Sequence, residues 1–217
     1  GENQMWELVK AGGWLMLPLV LCSIFTIAIS IERFIRLKKS LVLPAVLLMN
    51  PNKTAEQVEQ QLKQDQNLQR STLGRVFTAG YRSKNQTEQY ARAQMEVVAS
   101  QEIGYLEKNI NFLGTLSAVA PLLGLLGTVI GIIESFLMID IGTNSDPVLM
   151  MPGISKALIT TAAGMFIAIP ALFAHRYFQR LVQEYVAELE QQATLFHAAL
   201  FYQNFVDEES QDLQKAS

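Results

Sequence analysis

Two stretches decide the fold: LGTLSAVAPLLGLLGTVIGIIESFLM at residues 113–138 and PGISKALITTAAGMFIAIPALFA at residues 152–174. Each exceeds the ~20 apolar residues that cross ~30 Å of hydrocarbon, and a short polar connection joins them. In lipid every backbone amide must find its partner within the protein, which makes each stretch a helix and the two together a membrane hairpin. One charged residue sits near the loop end of each, Glu134 on the first and Lys156 on the second. Charges inside spans are rare and usually serve function.

A further apolar block fills residues 14–31. A cleaved signal peptide is a poor description of it, because the preceding flank carries Glu2, Glu7 and a single Lys10, and no small-x-small site follows. Trp6 and Trp14 suit a membrane–water boundary, Met5 offers a candidate start, and Met5-Trp6-Glu7-Leu8-Val9 is an amphipathic patch. After the block come Arg33, Arg36, Lys38 and Lys39, four basic residues in seven positions, which mark an inner flank. The connection at 140–151 has two acids and no Lys or Arg, and so lies outside; the third span ends at His175-Arg176, with Arg180 beyond, and so lies inside. The three flanks agree on an outer N-terminus and an inner C-terminus. The expected division is 1–12 outside, 13–32 first span, 33–109 inner helical domain, 110–138 second span, 139–151 outer loop, 152–175 third span and 176–217 inner C-terminal helix and tail.

The interior segment is polar. Asn50-Pro51-Asn52 signals a turn, and Thr54 is placed to cap a helix starting at Ala55, with Val58, Leu62 and Leu68 on a weak period. Residues 71–81 read as a short helix with Leu73, Val76 and Phe77 on its apolar face. Residues 87–108 contain no Pro and a single Gly, and run into the second span without a stop, which predicts one unbroken helix from inner domain to membrane. The same continuity is expected after the third span, where Leu181, Val182, Tyr185, Leu189, Ala193, Phe196 and Leu200 recur at helical spacing. The tail from Asp207 is acidic and reads as frayed.

Composition narrows the function. Half of the 217 residues are hydrophobic and the net charge is −3, which offers no basic surface for nucleic acid. Cys22 stands alone and reads as an inert buried thiol. The chain has no HExxH, GxSxG or phosphate-binding loop, and His175 and His197 have no convergent ligands, so neither an enzyme, a metal site nor a cofactor is expected.

Within the hairpin, Gly124, Gly127 and Gly131 form a small-residue face on the second span, and Gly153, Ala157, Gly164, Ala168 and Ala171 form one on the third. Such faces let helix backbones approach closely in lipid. Pro121 and Pro170 each remove a backbone hydrogen bond, and Pro121 is expected to bend its helix. Thr128, Thr160 and Thr161 can bond a carbonyl one turn back, or they can line a polar path. Glu134 lies six residues outward of Thr128 and Lys156 five residues outward of Thr161, offsets of ~9 Å and ~7.5 Å along a helix. If the threonines share a level, the two charges do as well; the alternative is that both charges snorkel to the outer headgroups.

Residues 122–131 (LLGLLGTVIG) and 152–164 (PGISKALITTAAG), with the closing Ile169-Pro170-Ala171, resemble the two signature spans of the MotA/TolQ/ExbB proton-channel family. The opening MWELVKAGGW at residues 5–14 is similar to ExbB-type members. The resemblance implies an all-α integral membrane protein of the bacterial inner membrane, with three transmembrane helices, long cytoplasmic helical extensions and a periplasmic outer side. It implies a homopentameric ring in the lipid bilayer around a dimeric, single-span ExbD-like partner that carries an essential aspartate. Proton flow then drives the partner and energises a TonB-like protein, or, in a TolQ-type member, the Tol-Pal system. Thr128 and Thr161 match the threonines that face the partner's aspartate. The chain departs from the pattern at one level: Lys156 stands where ExbB and TolQ proteins commonly have glutamate, and Glu134 where they often have a neutral polar residue. A passive membrane scaffold is the rival from another class.

Overall fold

A computed structural model describes residues 1–4, 6, 13–141, 147–202 and 212–216. The described residues are helical and contain no strand. The helices between residues 16 and 201 are, in order, α1 Met16–Arg36, α2 Lys39–Val42, α3 Ala55–Gln64, α4 Gln66–Arg70, α5 Thr72–Arg82, α6 Glu88–Leu106, α7 Ile110–Ile141 and α8 Met151–Phe201. Short 3-10 turns occupy Ala45–Leu47 and Pro147–Met150. Among the described residues, three helical stretches are long and apolar enough to cross a membrane, and they overlap the three blocks found in the sequence. Most of the amphipathic patch at Met5, residues 142–146 of the connection between the second and third spans and most of the acidic tail lie outside the described residues.

The chain divides into two compact units. The first comprises residues 1–33 and 109–178, and so holds most of α1, α7 and the first half of α8. Its centre is formed by Met16 and Leu19 of α1, Ala120 of α7 and Ala168 of α8, with Leu123, Ala163 and Ile167 packed around them. Ala120 and Ala168 give α7 and α8 small residues at this cluster, as expected where tight packing holds helices in lipid, and α1 adds the larger Met16 and Leu19. The outward faces stay apolar: Phe166 is 81% and Phe173 74% exposed. Phe25 of α1 meets Phe112 of α7 edge to face at 5.8 Å. Further along, His175 Nδ1 lies 2.8 Å from the Ile110 carbonyl, which accepts its proton, and the imidazole rests on Gly114.

The second unit comprises residues 34–108 and 179–217. Leu73, Val76 and Phe77 are fully buried, as are Val58 and Leu62 of α3. Phe77 stacks on Phe196 with ring centroids 4.3 Å apart, and Leu189 completes the apolar stripe of α8. Two long-range hydrogen bonds satisfy polar groups in this unit, while the buried Gln61 Oε1 has no hydrogen-bond partner among the described residues. Tyr185 donates to the Leu37 carbonyl at 2.6 Å, and Gln192 accepts the Met49 amide at 2.6 Å. Thr54 caps α3 in a reciprocal box with Gln57, which satisfies two amides that the helix itself leaves bare.

Two expectations need correction. The inner helix does not run unbroken into the second span. It ends at Leu106, and Asn109 adopts a left-handed φ of 65° before α7 begins. Asn tolerates that region better than most residues because its short side chain bonds locally. The helix capped by Thr54 likewise stops short of Leu68: Asp65 turns extended and caps a new helix by accepting the Asn67 amide. By contrast α7 passes through Pro121 and α8 through Pro170 without ending.

Candidate functional site: two polar levels between α7 and α8

The site begins with the glycines, because they set how close α7 and α8 come. A side chain at Gly124 would meet the Thr160 carbonyl and the Thr161 Cα, both at 3.1 Å. One at Gly131 would meet Ala157 Cβ at 2.7 Å and the Gly153 carbonyl at 2.8 Å. Gly127 lies under the Thr160 methyl, and Gly164 under the Ala120 carbonyl at 2.6 Å. At Gly124, Gly131 and Gly164 the close contact is with the backbone of the facing helix, at Gly127 with the Thr160 side chain, and at all four nothing larger than hydrogen fits without a shift.

This closeness sorts the threonines. Thr160 is buried and donates to the Lys156 carbonyl of its own helix at 2.9 Å. Thr161, one position on, crosses to α7: its hydroxyl donates to the Gly124 carbonyl at 3.1 Å and touches the Thr128 hydroxyl. Thr128 in turn points at the same Gly124 carbonyl at a longer 3.4 Å. Two hydroxyls and one carbonyl thus form a polar cluster in an otherwise apolar span. Both threonines are half-buried, so the cluster has an open side.

Outward along the hairpin, Lys156 Nζ lies 3.2 Å from Glu134 Oε2, and their side chains are 30% and 44% exposed. The pair bridges α8 and α7 at a common level, as the offsets from Thr161 and Thr128 require once those two touch. Beyond it the α7–α8 seam is closed by Ser135. Its buried hydroxyl donates to the Gly131 carbonyl at 2.8 Å, approaches the Met150 carbonyl at 3.3 Å and sits over Gly153. The sequence reading passed over Ser135, although a serine next to the span's charge was a visible signal. It also passed over Gly13, which lies against the Lys156 side chain. Among the described residues no three His, Cys, Asp or Glu side chains gather into a metal-binding group.

Chemically the arrangement offers two stations in apolar surroundings. The inner one can donate or accept hydrogen bonds without carrying charge. The outer one holds a cation and an anion whose partners can be exchanged.

Comparisons with known proteins agree with this architecture. Residues 68–191 match the MotA/TolQ/ExbB proton channel family. The putative biopolymer transport protein ExbB-like 1 of Synechocystis is 30% identical over 199 residues, covering 88% of this chain and 78% of that protein. The Tol-Pal system protein TolQ of Haemophilus influenzae is 35% identical over 111 residues, 49% of either chain. The biopolymer transport protein ExbB of Salmonella typhimurium is 38% identical over 85 residues, 39% of this chain and 35% of its own length. With three helices able to span a membrane and more than half its length matched, the chain belongs to the MotA/TolQ/ExbB proton channel family.

Proposed function

We propose that this chain is the proton-conducting stator subunit of an ExbB-type motor in the bacterial inner membrane. Five copies form a ring around a dimeric, single-span ExbD-like partner, and proton flow through the ring drives the partner to energise a TonB-like protein for outer-membrane transport. The N-terminus and the 139–151 loop are periplasmic; residues 33–109 and 176–217 are cytoplasmic. The observation that carries the reading is the stacked pair of polar levels on α7 and α8, the Thr128–Thr161 hydroxyl contact and the Lys156–Glu134 ion pair.

The mechanism follows from the cost of burying charge. An unpaired carboxylate in apolar surroundings is strongly disfavoured, so a partner aspartate moving along the ring wall must be neutralised or matched at every station. At the outer level Lys156 supplies a cation, already shared with Glu134. At the inner level the Thr128 and Thr161 hydroxyls can turn from the Gly124 carbonyl toward a carboxylate and stabilise its charged form. Protonation releases the aspartate from a station; deprotonation captures it at the next.

The test is proton flux in liposomes holding the chain and its single-span partner. Thr161→Val keeps the shape and removes the bridging hydroxyl. Flux should fall at least tenfold, on the order of one lost hydrogen bond to a charged group, with the ring intact by native mass spectrometry. Unchanged flux in Thr161→Val would remove the inner station from the pathway. Coupling to the Tol-Pal system is a second reading, favoured by the TolQ match, which spans more of this chain than the match to Salmonella ExbB. Loss of envelope integrity with normal iron-chelate uptake in a deletion strain would select it.

A further inference from the structure

We infer that Gly13, at the entry to α1, is a positioning residue for Lys156, so that the first span holds the ion pair carried by the other two. For its functional consequence the inference rests on the pathway reading above; its geometry stands apart from it.

Gly13 has a left-handed φ of 82°, a conformation that L side chains rarely adopt. Its carbonyl accepts the Met16 amide at 3.1 Å, which makes residues 13–16 the turn that launches α1. The bare Cα faces the far end of the Lys156 side chain. A Cβ added there would collide with Lys156 Cε, lie 2.9 Å from Nζ and reach Cδ at 3.5 Å. The same Nζ is the atom that pairs with Glu134 at 3.2 Å. Three chain segments therefore meet at one ammonium: Gly13 as a floor, Glu134 as the counter-charge and Lys156 between them.

The atoms in the way belong to a flexible lysine tip and not to backbone. A methyl at residue 13 is accommodated by swinging Lys156, which takes its ammonium from the carboxylate. The penalty falls on the aim of the side chain more than on the packing of the unit. This gives the first span, which contributes no residue to either polar level, a direct part in setting the outer one.

Two variants separate crowding from backbone strain. Gly13→Ala brings both a Cβ and an unfavourable φ. Gly13→Asn brings the same Cβ while tolerating positive φ. In liposomes containing the chain alone, a hydrophobic carbodiimide should join Lys156 to Glu134 as an amide, read by mass spectrometry of the linked peptides. Wild type should give the link, and both variants should lose about tenfold of it, the scale of one charge-assisted contact. Full linking in Gly13→Asn with loss in Gly13→Ala would reduce the role of Gly13 to backbone strain and overturn the inference. Equal linking in all three proteins, or none in wild type, would overturn it as well. With the partner present, Gly13→Asn should lower proton flux in the wild-type background and have no further effect in Glu134→Gln/Lys156→Met. Additive losses there would show that Gly13 acts elsewhere. If the link is lost while flux holds, Gly13 positions the pair and the pathway reading fails instead.

Discussion

Adjacent residues of like chemistry divide the work of the hairpin. Thr160 spends its hydroxyl on its own helix and its methyl on Gly127, whereas Thr161 reaches across the seam. A helix rotates ~100° per residue, so one position decides between a bond within α8 and a bond across to α7. The charged residues next outward form one unit across the seam. Glu134→Gln and Lys156→Met each leave the other charge unmatched, and each should reduce proton flux. The double variant, which leaves neither charge, should recover part of the loss, with an interaction energy of about 0.5–3 kcal/mol in the double-mutant cycle. Strictly additive losses would mean that the two act independently. The common level of these charges was legible from counting: six residues from Thr128 and five from Thr161 put them side by side once the threonines meet. The part of Gly13 was not, because it depends on a lysine 143 positions later (156 − 13) folding back onto the turn before α1.

At the scale of elements, hydrophobic pattern carried most of the fold. The three apolar blocks announced their helices by length alone, and Leu73, Val76 and Phe77 announced the buried face of α5 by spacing. Caps were equally readable, since Thr54 and Gln57 form the reciprocal box that their types and separation allow. The break between α6 and α7 was hidden. No Pro marks it, the nearest Gly is at 104, and the left-handed residue is an asparagine, whose tolerance for positive φ is a weak signal in a sequence. Asn109 gives a direct check. Asn109→Gly should leave stability in detergent within about 1 kcal/mol of wild type, because glycine adopts the same φ freely. Asn109→Val forces a branched side chain into that region and should cost about 1–3 kcal/mol in thermal or denaturant unfolding. A valine variant as stable as wild type would mean that the break is not held in the left-handed form.

At the scale of the whole molecule, two compact units obey different rules of cohesion. The first unit is held by glycine, alanine and threonine at close backbone approach. The second is held by large buried side chains and carries ion pairs on its surface. Glu59 connects α3 to the turn after α5 through Lys84 at 3.4 Å and pairs with Lys63 at 3.2 Å. Desolvation pushes its carboxyl upward, but hydrogen bonds and charge from the two lysines outweigh this and hold it below its ordinary value of 4.5. A depressed carboxyl contributes stability that is full above the unfolded-state pKa and is lost as pH falls through the folded one. Protection of α3 amides in hydrogen exchange, corrected for intrinsic rates, should therefore weaken below about pH 4.5, and Glu59→Gln should flatten that dependence. The gain above that pH is small, since exposed pairs contribute about 0–1 kcal/mol each.

The pairing of Lys156 with Glu134 also decides what a membrane potential can do to this subunit. A single charge displaced through the full field is worked on by about 2.3 kcal/mol per 100 mV. A cation and an anion held at one depth move as a neutral body, and the field does no net work on their joint displacement. A lone glutamate at that level would feel the voltage directly. Under the proposed mechanism the voltage acts on the proton and on the carboxylate that carries it, and does no net work on the Lys156–Glu134 pair of the wall.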